Sequence, residues 1–206
     1  MSPPDTPASR RTAVSAVLLA AGASRRFGSQ KLLAPLDGVP LVRIAAEHLL
    51  AAPLLELVVV VGREAAAVCA ALAGLPVRFA PNRRWSAGLS GSLRVGMRAV
   101  AAGADAALVA LGDQPAVTPE VVGRLVAAYR AGSAPIVAPD YAGVRGNPVV
   151  FDRSVFPELL RLRGDVGARR IVAADPARVE RVRFEFPPPP DVDTPAEYAR
   201  LLLERR

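Results

Sequence analysis

The stretch Val14-Ser-Ala-Val-Leu-Leu-Ala-Ala-Gly22-Ala-Ser-Arg-Arg-Phe-Gly28-Ser-Gln-Lys31 decides the fold class. Its first half is an apolar run without strict alternation, as expected of a strand buried on both faces of a mostly parallel sheet. Its second half is a glycine-bearing loop that ends in the only lysine of the chain, against 25 arginines. A compact ammonium on a flexible stem does what a planar guanidinium fork cannot. A lone lysine in such a loop therefore marks a point where an ammonium is needed, or a coincidence of composition that the surrounding residues must decide.

The same reading extends along the chain. Strands are predicted over Val14–Ala20, Leu57–Val61, Val77–Ala80, Ala106–Leu111, Ile136–Ala138, Val149–Phe151 and Val179–Phe184. Helices are predicted over Leu41–Ala51, Arg63–Ala73, Ser90–Ala102, Pro119–Ala131, Ser154–Leu162, Ala168–Ala173 and Pro195–Leu203. Thr118-Pro119 and Thr194-Pro195 put a capping hydroxyl before a proline at the first helical position, and Glu197 completes a capping box with Thr194. Strand–helix alternation predicts a single-domain α/β fold, Rossmann-like, with a mostly parallel sheet and helices on both faces. Residues 1–12 read as a disordered tail and 13–206 as one domain, consistent with a length of 206 residues.

Composition narrows the function classes. The net charge is +7, but the arginines are scattered and lack the aromatic interleaving of a single-strand binder, which argues against nucleic acid. A small polyanionic substrate suits that charge equally well. One cysteine, Cys69, precludes an intramolecular disulfide and suits a reducing cytoplasm; Cys69 reads as a small apolar helix residue, and the one histidine, His48, as a packed or surface residue. No apolar run reaches membrane-span length. Arg10-Arg11 and the apolar run after them imitate a signal peptide, but a first strand entering an anion loop explains the residues that follow.

Ligands of open α/β sheets bind beyond the carboxyl ends of the strands, which is where the loop after Ala20 lies. Gly22 allows successive N–H groups to approach an anion, and Arg25 and Lys31 can neutralise a triphosphate. The spacing Gly-x5-Gly-x2-Lys matches neither a P-loop nor a dinucleotide fingerprint; taken alone, it also fits an ordinary basic turn. Ala107-Leu-Val-Ala-Leu-Gly-Asp113-Gln-Pro115 ends a strand in a carboxylate that either holds Mg²⁺ against phosphate oxygens or caps a turn. Asp191-Val-Asp193 puts two more carboxylates before the last helix. Asn82-Arg-Arg-Trp-Ser-Ala-Gly88-Leu-Ser90-Gly-Ser92 opens a helix with small hydroxyl residues, an anion or base contact or simply a well-capped start.

Taken together, these ordered motifs resemble those of the MobA-like NTP transferases, and most closely their molybdenum cofactor cytidylyltransferase branch. Leu18–Leu32 carries the N-terminal signature, with Phe27 where Met is commoner, and the resemblance runs from Val14 to Leu203. It implies nucleotide contacts at Leu19, Ala20, Ala21, Gly22, Ser24, Arg25, Lys31, Gly88, Ser90 and Ser92. Catalytic roles fall to Lys31, Arg25 and Asp113, and Mg²⁺ or Mn²⁺ would be held by Asp113 and Asp193. Arg145, Asn147, Asp165 and Arg169 would face a pterin, with Asn147 where many members have His. Ala21, glycine in guanine-specific relatives, implies CTP. The activity so implied is attack by the phosphate of the molybdopterin cofactor on the α-phosphate of CTP, with loss of pyrophosphate. A phosphate nucleophile is already ionised, so no catalytic His, Ser or Cys is required, and positioning and charge neutralisation carry the reaction. The implied partners are these small molecules and a recipient molybdoenzyme or its chaperone, with no nucleic acid and no membrane. Three other readings stand beside it: another NTP:phosphate nucleotidyltransferase, an NAD(P)H-dependent oxidoreductase like the nicotine blue oxidoreductases of the same branch, and a non-catalytic carrier of the cofactor.

Overall fold

The computed structural model describes residues 12–22, 24 and 26–203. The expected tail, residues 1–12, lies outside them except for Thr12. That residue is bound to the domain: its N–H donates to Asp105 Oδ2 at 3.0 Å and its carbonyl accepts from the Arg130 guanidinium.

Among the described residues an eight-stranded sheet forms the middle layer. It contains β1 (Val14–Ala20), β4 (Glu56–Val61), β5 (Arg78–Pro81), β6 (Ala106–Leu111), β7 (Ile136–Tyr141), β8 (Val144–Arg145), β9 (Val149–Asp152) and β10 (Val179–Phe184). Strands β2 (Pro35–Leu36) and β3 (Val39–Pro40) form a separate small hairpin. The order across the main sheet is β10-β7-β9-β6-β1-β4-β5, with β8 beside β7. Contacts β5–β4–β1–β6 and β7–β10 are parallel, whereas β9 runs antiparallel between β6 and β7. The mostly parallel sheet is as expected; the reversed β9 is an addition that apolar periodicity cannot reveal, because strand direction leaves the pattern unchanged.

The period-two alternation of each central strand explains both cores. Ala16, Leu18 and Ala20 of β1, with Leu57, Val59, Leu108 and Ala110, face α1 (Leu41–Leu50), α2 (Ala65–Ala71) and α4 (Pro119–Ala131). Val17, Leu19, Val58, Val60, Ala107 and Val109 face α3 (Leu89–Ala99), α5 (Phe156–Arg161) and α6 (Arg169–Ala174). Every residue of β1 is buried, which is why the sequence shows no alternation there. Each fully covered Val or Leu contributes on the order of 1.5–3 kcal/mol. Helix α3 lies close against β1 and β4 because Gly96 faces them: a Cβ there would stand 2.3 Å from Val17 Cγ1. Tyr129 of α4 is buried with its phenol satisfied, donating to Asp152 Oδ2 at 2.7 Å and so fastening the helix to β9.

Leu201 of the last helix, α7 (Pro195–Leu203), and Val192 just before it pack against Leu36, Leu41 and Ile44 in a third, smaller cluster that also includes Phe27 and Tyr198. Those two rings meet edge-on at 5.7 Å. This contact draws the carboxyl end of the chain to the loop after β1. None of the helices among the described residues is long and apolar enough to cross a membrane.

Candidate active site

Strands β1 and β6 are neighbours, and Leu19 and Leu111 stand side by side in register. Their loops therefore leave the sheet together. The Gly112 N–H donates to the Leu19 carbonyl at 3.0 Å, which sets Asp113 beside the glycine loop. The loop itself is pinned from within. The Ser24 hydroxyl donates to Gln30 Oε1 at 2.7 Å and accepts the Lys31 N–H at 3.2 Å, while Gln30 Nε2 reaches the carbonyls of Gly22 and Arg63. Gly22 lines the cleft, and a Cβ there would project into open space.

Lys31 begins a single 3-10 turn, Lys31–Leu33, and is only 8% exposed. Its Nζ lies 2.5 Å from Asp113 Oδ2 and 2.6 Å from Asp193 Oδ1. The other Asp193 oxygen accepts from Arg26 Nη2 at 2.7 Å. Asp193 is placed by two devices. Glu197 accepts the N–H groups of Asp193 and Thr194, and the Thr194 hydroxyl accepts from Glu197 N, as the capping box requires. Upstream, the Val192 N–H donates to the Asp113 carbonyl at 3.1 Å, and Gln114 Nε2 donates to Asp191 Oδ1 at 2.6 Å. The carboxyl-terminal segment is thus stitched to the end of β6.

Charge follows this geometry. Burial opposes the Lys31 ammonium, but Asp113 and then Asp193 outweigh it and hold its pKa above the ordinary lysine value. Burial likewise opposes ionisation of Asp193, and its hydrogen bonds and attraction to Lys31 and Arg26 outweigh that, so its pKa is lowered. Asp191 is exposed as a whole residue, yet its carboxylate sits deep enough in the cleft mouth that burial, then repulsion from Asp113, raises its pKa.

A cleft of about 650 Å³ opens over these groups. One wall is the glycine loop. The opposite wall is the turn Trp85–Ala87 with the start of α3, backed by the loop 162–168. Gly88 joins the two parts of that wall: its φ is +103° and ψ 169°, and a Cβ would stand 2.7 Å from the Gly164 carbonyl oxygen. The Gly164 oxygen accepts both the N–H and the hydroxyl of Ser90, and Asp165 Oδ1 accepts the Leu89 N–H.

Leu19, Ala21, Gly22, Ser24, Lys31, Gly88, Ser92, Asp113, Asp165 and Asp193 all line the cleft. Arg25 lies outside the described residues. Ala20 faces the opposite core, towards α1, and the Ser90 hydroxyl is spent on Gly164. Arg145, Asn147 and Arg169 are not in the lining: Arg145 donates to the Val172 carbonyl at 3.4 Å, the Asn147 carbonyl accepts the Tyr141 phenol, and Arg169 starts α6. Asp165 reaches the cleft from the capping position on α3. Arg26, Gln30 and Gln114 escape a reading by residue type, whereas Trp85, by its type a residue that either stacks or packs, lines the cleft. Arg26 is one of two adjacent arginines, and only the arrival of Asp193 from 167 residues away singles it out.

The donor chemistry fits a hard divalent ion. Asp113 and Asp193 converge on one point, both through oxygen, and Mg²⁺ commonly takes one or two carboxylates and completes its shell with water and substrate phosphate. Among the described residues no group of three His, Cys, Asp or Glu side chains is close enough to form a self-sufficient metal cage, so an ion here would need ligands from its substrate.

The chain is similar to known proteins over most of its length. The model of the MobA-like NTP transferase domain matches residues 16–181. Nicotine blue oxidoreductase of Paenarthrobacter nicotinovorans is 39% identical over 197 residues, spanning 92% of this chain and 96% of that protein. The purine catabolism protein PucB of Bacillus subtilis strain 168 is 31% identical over 194 residues, spanning 88% and 92%. Among solved structures, Rv0371c of Mycobacterium tuberculosis H37Rv in complex with manganese superposes with a TM-score of 0.82 at 32% identity, covering 93% of this chain and 99% of that one. On these matches the chain belongs to the MobA-like NTP transferase family, and it is an enzyme of the nucleotidyltransferase type.

Proposed function

We propose that the enzyme transfers CMP from CTP to the phosphate of the molybdenum–molybdopterin cofactor and releases pyrophosphate. The observation that carries this reading is the convergence of Lys31, Asp113 and Asp193 on one point of a cleft walled by Gly22 and Gly88. Such a corner suits a polyphosphate with its divalent counter-ion. The N–H groups about Gly22, with Lys31 and Arg26, hold the triphosphate. Trp85, Gly88 and Ser92 form the wall for the base and ribose, and the Ala21 methyl narrows the pocket against a purine. Asp113 and Asp193 would hold Mg²⁺ or Mn²⁺, which supplies charge neutralisation at the transferring group. The acceptor phosphate attacks in line as an anion, so the protein needs to position and to neutralise but not to abstract a proton. Asp165, exposed in the cleft lining, would meet the acceptor, which the enzyme then passes in the cytoplasm to a recipient molybdoenzyme or its chaperone.

The test is pyrophosphate release from CTP, GTP and ATP with molybdopterin cofactor as acceptor. Release with CTP at a rate at least about tenfold above the other two is expected, and equal turnover of all three removes the cytidine assignment. The identity shared with nicotine blue oxidoreductase favours a second reading, reduction of a quinone-like acceptor by NAD(P)H. Oxidation of NADH or NADPH by such an acceptor, with no nucleotide-dependent pyrophosphate release, would establish that reading in place of the first.

A further inference from the structure

The acidic corner of the cleft already contains a cation. The Lys31 ammonium engages one oxygen of Asp113 at 2.5 Å and one of Asp193 at 2.6 Å, and Arg26 engages the remaining Asp193 oxygen at 2.7 Å. The ammonium holds one oxygen of each carboxylate, so a divalent ion bound by the pair would sit directly beside it. An ammonium and a divalent cation on the same two carboxylates repel strongly at such range in a partly buried site. The ammonium cannot simply withdraw. Lys31 is 8% exposed, and a buried charge left without a partner is heavily disfavoured. It can leave the two aspartates only for another anion. The backbone of Lys31 is fixed by the Ser24 hydroxyl, so the flexible side chain is the part that moves, a motion natural to a point charge on a four-carbon stem.

We propose that Lys31 determines which form of the divalent ion the site accepts: as the resident counter-ion of Asp113 and Asp193 it excludes the free ion, and it releases both carboxylates only when a polyphosphate arrives to receive its ammonium. Ion and nucleotide then enter as one complex. This rests on the nucleotidyl-transfer reading of the same cleft. It also explains why an ammonium is kept here in a chain that writes its other cations as arginine. A guanidinium forked onto a carboxylate would not be handed so readily to a phosphate.

The experiment is titration of the purified protein with Mn²⁺ alone, followed by calorimetry and by the electron paramagnetic resonance signal of free Mn²⁺. The expected result is that Lys31→Met binds Mn²⁺ at least about tenfold tighter than wild type. Arg26→Ala, which removes an exposed side chain, is expected to shift affinity the same way by a smaller factor. Asp193→Asn in the Lys31→Met background is expected to reverse the gain. If Lys31→Met is folded by circular dichroism and binds Mn²⁺ no tighter than wild type, the proposal is overturned; if it does not fold, an unchanged Mn²⁺ affinity in Arg26→Ala overturns it. A parallel thermal-shift series with CTP and Mn²⁺, without acceptor, separates the two claims. Failure of CTP to stabilise wild type defeats the nucleotide reading and ordered entry with it, even where the Mn²⁺ titrations show competition by Lys31.

Discussion

Replacing Gly88 with alanine tests the architecture of the cleft. Its φ of +103° and ψ of 169° fall in a region that is essentially reserved for glycine, with a cost of about 1–3 kcal/mol for another residue. The new Cβ would also stand 2.7 Å from the Gly164 oxygen, 2.8 Å from the Gly164 carbon and 3.0 Å from Asp165 N, all backbone atoms. Overpacking of this kind adds about 1–3 kcal/mol. The sum is about 2–6 kcal/mol. In a domain of this size 1 kcal/mol shifts Tm by roughly 2–4 °C, so Gly88→Ala is expected to melt at least about 4 °C below wild type by differential scanning calorimetry. Relief of the clash parts the start of α3 from the loop 162–168, breaking the Ser90–Gly164 bonds and widening the cleft, so turnover is expected to fall as well. Gly91→Ala is the control. Its Cβ would stand 3.7 Å from the nearest atom outside the helix, and alanine in a helix interior is favoured over glycine by about 1 kcal/mol; it should melt at or slightly above wild type. Equal melting temperatures for Gly88→Ala and wild type would refute the reasoning about this wall.

Lys31→Arg keeps the charge but brings a planar fork to a point where one nitrogen is clasped between two carboxylates; nucleotide-dependent pyrophosphate release should fall by about tenfold or more, and a wild-type rate would return the lysine to coincidence. Asp113→Asn and Asp193→Asn should each lower turnover by about 10²-fold or more, and EDTA should abolish the wild-type activity, with Mg²⁺ or Mn²⁺ restoring it. The lowered Asp193 pKa contributes stability above the ordinary carboxylate value that is lost as pH falls through the lowered one, while the raised Lys31 pKa contributes stability below the ordinary lysine value that is lost as pH rises through the raised one. Urea denaturation across pH should therefore show the contribution of this pair at full strength between about pH 4 and pH 10, and Lys31→Met should flatten both limbs. The raised pKa of Asp191 has the opposite sign, so Asp191→Asn, which can still accept from Gln114, should raise the neutral-pH Tm of the ligand-free protein.

Residues whose signal is local were legible in the sequence. β1 and β6 have the bounds expected from their unbroken apolar runs, since burial on both faces requires such runs. Helices α4 and α7 begin where Thr-Pro placed them. Two hairpin turns carried a readable signal that apolar periodicity passes over. Asp37-Gly38 and Ala142-Gly143 have φ of 53°, 81°, 48° and 93°, the positive pairs that a two-residue turn needs, and each leads into a two-residue strand too short to show a period. The reversal of β9 had no local signal. The site divides in the same way. Gly22 and Asp113 stand just past strand ends and Lys31 closes the loop after β1, where chemistry can be read from position. Arg26 and Gln114 gain meaning only from Asp193 and Asp191, which the third apolar cluster brings in from the end of the chain. Ser90 illustrates the converse: a hydroxyl of the right type in the right loop is turned to the Gly164 carbonyl.

The tether between the Asp113 carbonyl and the Val192 N–H has a consequence for synthesis. All eight strands of the main sheet precede residue 185, so the scaffold is complete before Asp191 and Asp193 are translated. Until those last residues emerge and α7 closes on Phe27, the Lys31 ammonium has only Asp113 to face. The charge arrangement that answers to a nucleotide therefore forms only after every strand of the sheet has been made, and a chain cut short after β10 would keep every strand of the sheet while lacking half of its acidic corner.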